Sequence, residues 1–374
     1  MTWTVAHVSS VHPILDNRIL FKECATLASE GYDVHLVGVG MENRSWSMEN
    51  IAIHEIKGER SRIKRMAFTT GRVVRKAMAL KPDIVHLHDP ELMPYAAWLS
   101  RKGKKVIFDM HEDFPKALRT KEWIGKGLRR AAGKIGGVIE QCFLNNVAVV
   151  CAEDSYRVKR GWLSELAIVR NMPIAVRMRG INEPKVFPPS VGYMGSVTEM
   201  RGCLNVLKAI GQLQKQGIEV AYDCVGNVPV KFAQKCADTI KREGIRNVRY
   251  HGFLCAEEGY RIMAGCAIGV SLLYPIPNYQ SSYPTKIFEY MALGLPCLVS
   301  SIPLHQSIVD ECNAGISVDP LNIEAIAQGI SLLLNDPARC LELGENGKQA
   351  IEQKYSWERE SRRLLDFYKR LLNA

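Results

Sequence analysis

The chain has 374 residues, 47% of them apolar and 24% charged, which excludes a mainly disordered or collagen-like chain and leads us to expect two domains. Its formal net charge is +10, all of it in the first half: residues 1–180 hold 29 Lys+Arg against 19 Asp+Glu, whereas residues 181–374 balance at 20 against 20. The two halves are therefore expected to face different partners.

Taken in chain order, residues 4–11, 33–39, 51–56, 83–88, 105–109 and 146–151 read as short strands. Most are continuous apolar runs, the pattern of parallel strands covered on both faces. Helical periodicity intervenes at 18–29, closed by Gly31, and at 63–80, closed by Lys81-Pro82. Between Asn171 and Pro189 the periodicity fails and four prolines appear, so the domain boundary is placed there. Strands resume at 191–195, 220–226, 248–253, 267–273, 296–300 and 315–318, with helices at 204–216 and 285–292, and an amphipathic helix ends the sequence at 358–372. The expected organisation is α/β, with two doubly wound Rossmann-like domains at 1–175 and 176–355. The helical stretch 356–374 is expected to pack back on the first. Ligands of such sheets bind at the carboxyl ends of the strands.

No apolar run approaches the roughly 18 residues of a membrane span. The opening strand lacks the basic and apolar regions of an export signal, so a cytoplasmic location is expected. The eleven cysteines are scattered without a Cys-x-x-Cys pair, as suits reduced, small core residues and not a zinc site.

The densest chemical signal is the run from Ser281 to Pro296. Pro284 is placed to open a helix, with the hydroxyls of Ser281, Ser282 and Thr285 at its first turn. A helix start is a ready anion site through its free N–H groups and positive dipole end. Lys286 adds a full charge there, and Glu289 lies close to the same face, where it can accept bonds from ribose hydroxyls. Together these fit a nucleotide-diphosphate subsite; the alternative is a capped core helix carrying a surface Lys–Glu pair.

This run resembles the donor-site motif of retaining glycosyltransferases with the GT-B fold, specifically glycosyltransferase family 4. That family shows Glu-x7-Glu followed by Ala-x-Gly-x-Pro. Glu289, Ala292, Gly294 and Pro296 match it, and Ser281 replaces the first Glu. Tyr193-Met194-Gly195-Ser196 with Arg201-Gly202 is similar to the family's first strand and loop of the donor domain. The resemblance assigns the donor phosphates to Arg201 and Lys286, with Ser196 where a second basic residue is often found. It brings Cys224-Val225-Gly226 and the turn at Phe253 and Leu254 to the nucleotide, and includes Tyr283 in the donor loop. It further implies transfer with retention of configuration, stabilised by His111, Glu289, Lys286 and Arg201, with no cofactor and no bound metal.

In the first half, Asp83–Asp89 and Val106–Glu112 each end a buried strand with polar residues. The resemblance places His111 near the transferred sugar, and an imidazole there can bond a hydroxyl or move a proton. The acceptor side is expected to include Asp16, Asn17, Arg18, His88 and His111, although Asp16 or Asn17 equally suits a helix cap. Metal ligation by His86, His88 and His111 is not expected.

Residues 57–76 carry eight Lys+Arg and one acid, and residues 101–134 carry eleven and four. In the second stretch Trp123, Lys126, Arg129 and Arg130 interleave with Ile124, Leu128, Ala131 and Ile135, which share one helical face. This suits a peripheral anchor on anionic lipid, or an ordinary amphipathic helix packed on its own sheet.

The resulting expectation is a hexosyl-type transferase, peripheral on the inner membrane face, in cell-surface polysaccharide or glycolipid synthesis. It would move a sugar from a nucleotide-diphosphate sugar to a glycan or lipid-linked acceptor. The rivals are a GT-B sugar-nucleotide epimerase or hydrolase, a non-catalytic glycosyltransferase-like scaffold, and a nucleic-acid binder. The last has no module to support it and is not expected.

Overall fold

The computed structural model describes residues 2–59, 61–120, 124–158 and 160–373, which separate into two α/β units. The first runs to Asn171 and also takes the stretch from Trp357 onward; the second is Met172–Ser356.

The first unit is built on an eight-stranded sheet: β1 (Thr4–Pro13), β2 (Asp33–Gly40), β3 (Arg44–Met48), β4 (Ile51–Lys57), β5 (Ile84–Leu87), β6 (Lys105–Met110), β7 (Ala148–Cys151) and β8 (Leu166–Ile168). Their order is β3-β4-β2-β1-β5-β6-β7-β8, all parallel except β3, which pairs antiparallel with β4. Val5, Ala6 and Val8 of β1, Val85 and Leu87 of β5 and Phe108 of β6 are buried, as their apolar runs require. Two strands escape the sequence reading. The short, polar β3 lies at one edge of the sheet, where only one side needs a partner, and the three-residue β8 closes the other.

The helix expected over 18–29 starts as a wider turn at Ile19–Cys24 and tightens into an α-helix at Ala25–Ser29. In the wide turn the Glu23 N–H donates to the Arg18 carbonyl at 3.0 Å, an i→i+5 bond. Such a turn brings Arg18 and Glu23 to the same side, and both are buried. The terminal helix Trp357–Asn373 belongs to this unit. Leu364, Phe367 and Tyr368 are fully buried, each apolar body contributing about 1.5–3 kcal/mol. The Trp357 Nε1–H donates to Thr26 Oγ1 at 2.9 Å, fastening the start of the helix.

The second unit has a six-stranded parallel sheet of β9 (Ser190–Met194), β10 (Ala221–Val225), β11 (Val248–Gly252), β12 (Ile268–Ser271), β13 (Cys297–Ser300) and β14 (Gly315–Val318), in the order β11-β10-β9-β12-β13-β14. One face packs on the helices Cys203–Lys215 and Ile323–Leu334 through residues such as Leu207, Ile210 and Ile330. The other is covered by residues around Ile287, Phe288 and Met291 of the helix Thr285–Ala292.

Both sheets are doubly wound. The chain moves outward from β1 and returns beside it at β5; likewise it leaves β9 and returns at β12. These reversals are the switch points at which open α/β sheets bind ligands.

Candidate active site

In the second unit the turns after β9 and β10 are held by glycines at positive φ, Gly195 at +130° and Gly226 at +138°. The Gly195 N–H donates to the Val225 carbonyl at 2.7 Å, and the Gly226 N–H to the Gly252 carbonyl at 2.7 Å. A Cβ on Gly226 would lie 2.0 Å from the Gly195 carbonyl oxygen, so the two turns stack too closely for any side chain. Above Gly195 two cations converge: a Cβ built there would sit 3.2 Å from Lys286 Nζ and 3.4 Å from Arg201 Nη1. Gly202, at φ +76°, opens the helix Cys203–Lys215 beside them, and its own Cβ would meet the Leu272 carbonyl oxygen at 2.2 Å.

Lys286 stands in the first turn of Thr285–Ala292, which begins after Pro284 as the sequence predicts. Burial and the neighbouring Arg201 charge bring its ammonium pKa down to about 8, while Glu289 partly restores it. The helix is locked to the sheet by Tyr290, whose hydroxyl accepts the Met194 N–H at 3.1 Å and whose ring packs where Gly269 has no Cβ. Glu289 accepts from the Tyr260 hydroxyl at 3.2 Å. In the preceding loop Ser281, Ser282, Tyr283 and Thr285 are half-buried, and Ser282 Oγ donates to the Asn278 carbonyl at 2.9 Å. Ser196 is exposed, and its carbonyl accepts from Tyr193. Phe253 is 78% exposed at the end of β11, with Leu254 half-buried beside it.

In the first unit a cavity of about 380 Å³ opens at the ends of β1, β5 and β6, its lining including His12, His88, Asp89, Phe108, Asp109 and His111. His111 Nε2 lies 2.7 Å from Asp109 Oδ2. Arg18 grips the same carboxylate with two bonds of 2.9 Å and donates a third to the Val169 carbonyl at 2.9 Å. It also lies 3.0 Å from Glu23 Oε1. Burial opposes ionisation of Asp109, but Arg18 and His111 hold its pKa well below the usual range. Burial and the Asp109 charge push Glu23 the other way, well above its usual range.

A second histidine–aspartate pair faces the first. His12 Nδ1 is 2.7 Å from Asp89 Oδ1, and the rings of His12 and His111 are 4.7 Å apart. Asp89 Oδ2 accepts from Ser9 Oγ and from the N–H groups of Ser10 and Val11. Burial works against it, yet these bonds and His12 bring Asp89 down to about 2, and Asp89 in turn raises His12.

Several expectations need correction. Arg18, expected at the acceptor surface, turns inward because two buried carboxyl groups require a counter-charge; only 3% of it is exposed. His88 is likewise 1% exposed and engaged with His7, His111 and Asp109. Asp16 acts as a cap, its Oδ1 accepting the N–H groups of Arg18 and Ile19, while Asn17 is exposed. On the basic stretch, Ile124 is buried and precedes the helix Arg129–Leu144, so it does not share a face with Leu128, Ala131 and Ile135. Those three are exposed, as are Val138 and Ile139, with Arg130 and Lys134 among them. The covered side of that helix is instead Gly133 and Gly136, packed closely on Phe114–Thr120. Arg129 is half-buried and donates to the Ile124 carbonyl. Trp123 lies outside the described residues, and Lys126 begins the short 3-10 turn Lys126–Leu128.

Sequence reasoning passed over Glu23, His7, Tyr260, Tyr290 and His305. His305 is buried, with its ring against the backbone of Tyr279 and Ser282 in the loop before Thr285; burial lowers its pKa to about 4. Of these only Tyr290 lies within a local motif, the run from Ser281 to Pro296. Two groups also bring potential metal-ligand atoms within 4.8 Å of one another: His7, Glu23, His86 and His88, and His88, Asp109 and His111. The Arg18 guanidinium sits on the carboxyl group of each.

Two doubly wound α/β sheets, the second with a pair of cations above a strand-end glycine, fit the GT-B class, and comparison with known proteins agrees. A sucrose-phosphate synthase from Thermosynechococcus elongatus superposes with a TM-score of 0.79 at 15% identity, covering 99% of both chains. Anabaena HepE, in complex with UDP and glucose, superposes at 0.72 and 14% identity over 98% of this chain and 99% of that one. The family model of group 1 glycosyl transferases matches residues 188–336, and that of the glycosyl transferase 4-like domain matches 19–154. The chain belongs to the GT-B glycosyltransferases of the family 4 type. An uncharacterized glycosyltransferase of Methanocaldococcus jannaschii is 31% identical over 179 residues, 47% of this chain and 44% of that protein. The chain spans from about a quarter to two thirds of the length of the curated relatives it matches.

Proposed function

We propose that this chain transfers a sugar, with retention of configuration, from a nucleotide-diphosphate sugar to a glycan acceptor, lipid-linked and presented at an anionic membrane surface. The observation that carries the reading is the convergence of Lys286 and Arg201 over Gly195. Two cations held together in partial burial repel each other, and a diphosphate relieves that repulsion. Structures of Anabaena HepE with UDP, and with UDP and glucose, support a uridine nucleotide as the first candidate.

In the transfer, the bond from the sugar C1 to the β-phosphate oxygen breaks and its electron pair stays on the phosphate. The acceptor hydroxyl bonds to C1 on the same face and gives up its proton to the departing phosphate. Lys286 and Arg201 stabilise the charge as it develops, and they are fixed before the reaction starts. Glu289 takes the ribose hydroxyls, and the exposed Phe253 stacks on the base. In the first unit the cavity of paired histidines and carboxylates suits hydroxyl-rich acceptors, with the ring nitrogens of His111 and His12 offering hydrogen bonds. We assign no metal to the reaction, because Arg18 already neutralises the buried carboxylate beside His111.

Melting the protein with UDP, GDP and ADP tests the donor site: one of them raises the melting temperature, and Arg201→Ala abolishes that rise. No rise with any of the three refutes the reading.

The membrane part rests on the helix Arg129–Leu144, whose Leu128-to-Ile139 apolar stripe faces outward: Leu128 is 67% and Val138 62% exposed. Among the described residues no helix is long and apolar enough to cross a membrane, so contact would be peripheral. Exposed Ile63, Met66 and Phe68 in the other basic stretch add to it. Leu128→Ser with Ile135→Ser should abolish flotation with phosphatidylserine vesicles; undiminished flotation removes this part of the proposal.

A further inference from the structure

Behind His111 a line of buried side chains crosses the first sheet to the terminal helix. His88 Nδ1 lies 3.3 Å from Asp109 Oδ2 and 3.3 Å from His111 Nε2. His88 Nε2 meets His7 Nδ1 at 2.9 Å. The other nitrogen of His7, Nε2, lies 3.4 Å from the Tyr368 hydroxyl, which is 2.8 Å from His86 Nδ1. His86 Nε2 is buried without a hydrogen-bond partner. His7 pairs with His86 across β1 and β5, which sets the rings side by side. All four side chains are buried to within 1%.

The direction of this chain follows from proton counting. Burial keeps His7, His86 and His88 neutral, so each ring has one N–H and one lone pair. Asp109 is an anion and accepts only, so His88 must place its proton on Nδ1. Its Nε2 is then an acceptor and needs the N–H of His7 Nδ1. His7 Nε2 is left as an acceptor and takes the single Tyr368 proton. Tyr368 oxygen then accepts from His86 Nδ1–H. The orphan at the end is a lone pair on His86 Nε2, and a lone pair is less costly to bury unpaired than an N–H. The reverse direction would aim the His88 lone pair at the Asp109 carboxylate and bury an unpaired N–H on His86.

We infer that Tyr368 is a positioning residue for His111, acting through a hydrogen-bond chain of His7 and His88 whose direction the Asp109 charge dictates. The His88 N–H shares Asp109 Oδ2 with the His111 Nε2–H, so where His88 places its proton bears directly on how His111 is held. His111, held at Nε2 by Asp109, presents Nδ1 as its basic nitrogen. Asp109, His88 and His12 are the charged and titratable groups facing the His111 ring, and the Tyr156 hydroxyl donates to its carbonyl. The functional consequence rests on the acceptor-site reading of His111; the chain itself does not.

The test is ¹⁵N-histidine NMR on the full chain, with signals assigned from single His→Gln variants. His7, His86 and His88 should all carry the proton on Nδ1, the less populated tautomer of free histidine, and His111 on Nε2. Tyr368→Phe should remove the proton donated to His7 Nε2, moving that nitrogen's signal toward an unbonded lone pair, release His86 to a mixture of tautomers, and shift the His88 and His111 N–H signals, while the Asp109 charge still holds the protons of His7 and His88 on Nδ1. Trp357→Phe, which loosens the same helix at its start, should leave all of these signals unchanged. A proton on Nε2 of any of the first three, or stoichiometric transition metal bound to them in the purified protein, overturns the inference. So does a Tyr368→Phe spectrum in which the His7 Nε2 and His86 signals are unmoved. No outcome depends on transferase activity, so this inference and the proposed function fail separately.

Discussion

Lys286→Met separates stability from function in the second unit. The native ammonium is held at about 8 against an ordinary 10.5, so the folded state disfavours the charge by an upper limit of about 3 kcal/mol near neutral pH. Methionine keeps the length of the side chain and removes the charge. The variant should therefore melt no lower than the parent at pH 7, and higher by about 2–4 °C for each kcal/mol relieved. The sign sets a pH window. Below about 8 both folded and unfolded states hold the proton and the penalty is complete. Between about 8 and 10.5 the folded protein has released it and the unfolded chain has not, so the parent gains stability as pH rises and its deficit closes. Diphosphate binding should move the opposite way, because one of two cations over Gly195 is lost: about 1.5–3 kcal/mol, or roughly 10- to 150-fold in affinity. Thermal melts across pH 7–10.5, with and without UDP, read both effects. A variant that melts several degrees lower without ligand, or that keeps the parent's UDP shift, refutes the reasoning.

Gly226→Ala forces a Cβ to 2.0 Å from the Gly195 oxygen at φ +138°, so it should cost more than the about 1–3 kcal/mol of backbone strain alone and abolish the UDP shift; melting and titration show both. Arg18→Met leaves the Asp109 and Glu23 pair without its cation and should destabilise the first unit by about 3–5 kcal/mol in urea unfolding. Arg18→Lys should recover little of this, because an ammonium cannot reproduce the bidentate grip. Asp89→Asn removes the partner that raises His12. Stability from that pair is complete below the ordinary histidine value of about 6.5 and lost as pH rises through the raised one, so the variant's stability should vary less with pH over that window.

The legibility of the fold varied with how far each element depends on local pattern. The parallel strands were readable because burial on both faces demands continuous apolar runs, and the helix Thr285–Ala292 because Pro284 marks its start. Strand β3 was not, since an edge strand with polar side chains leaves no hydrophobic signature. The wide turn at Ile19–Cys24 was missed because its i→i+5 bonds suit neither helical period, and what selects it is the need to bury Arg18 and Glu23 together.

The candidate site divides in the same way. The donor motif lies within sixteen consecutive residues, so the family and the roles proposed for Lys286 and Glu289 were visible in one line of sequence. The cavity proposed for the acceptor, with the buried side chains behind it, is assembled from β1, β5, β6, the first helical turn and the terminal helix. Asp109 and Arg18 are 91 residues apart, and His7 and Tyr368 are 361 apart. Sequence alone thus determined the architecture, the charge asymmetry and the residues proposed to bind the diphosphate, because these follow from periodicity and short-range spacing. Only the tertiary structure decided that Arg18 is an internal counter-ion, that the basic helix turns its apolar stripe outward, and that the histidines form a directed chain. Those outcomes depend on which buried charges meet across strands, and no local pattern encodes that.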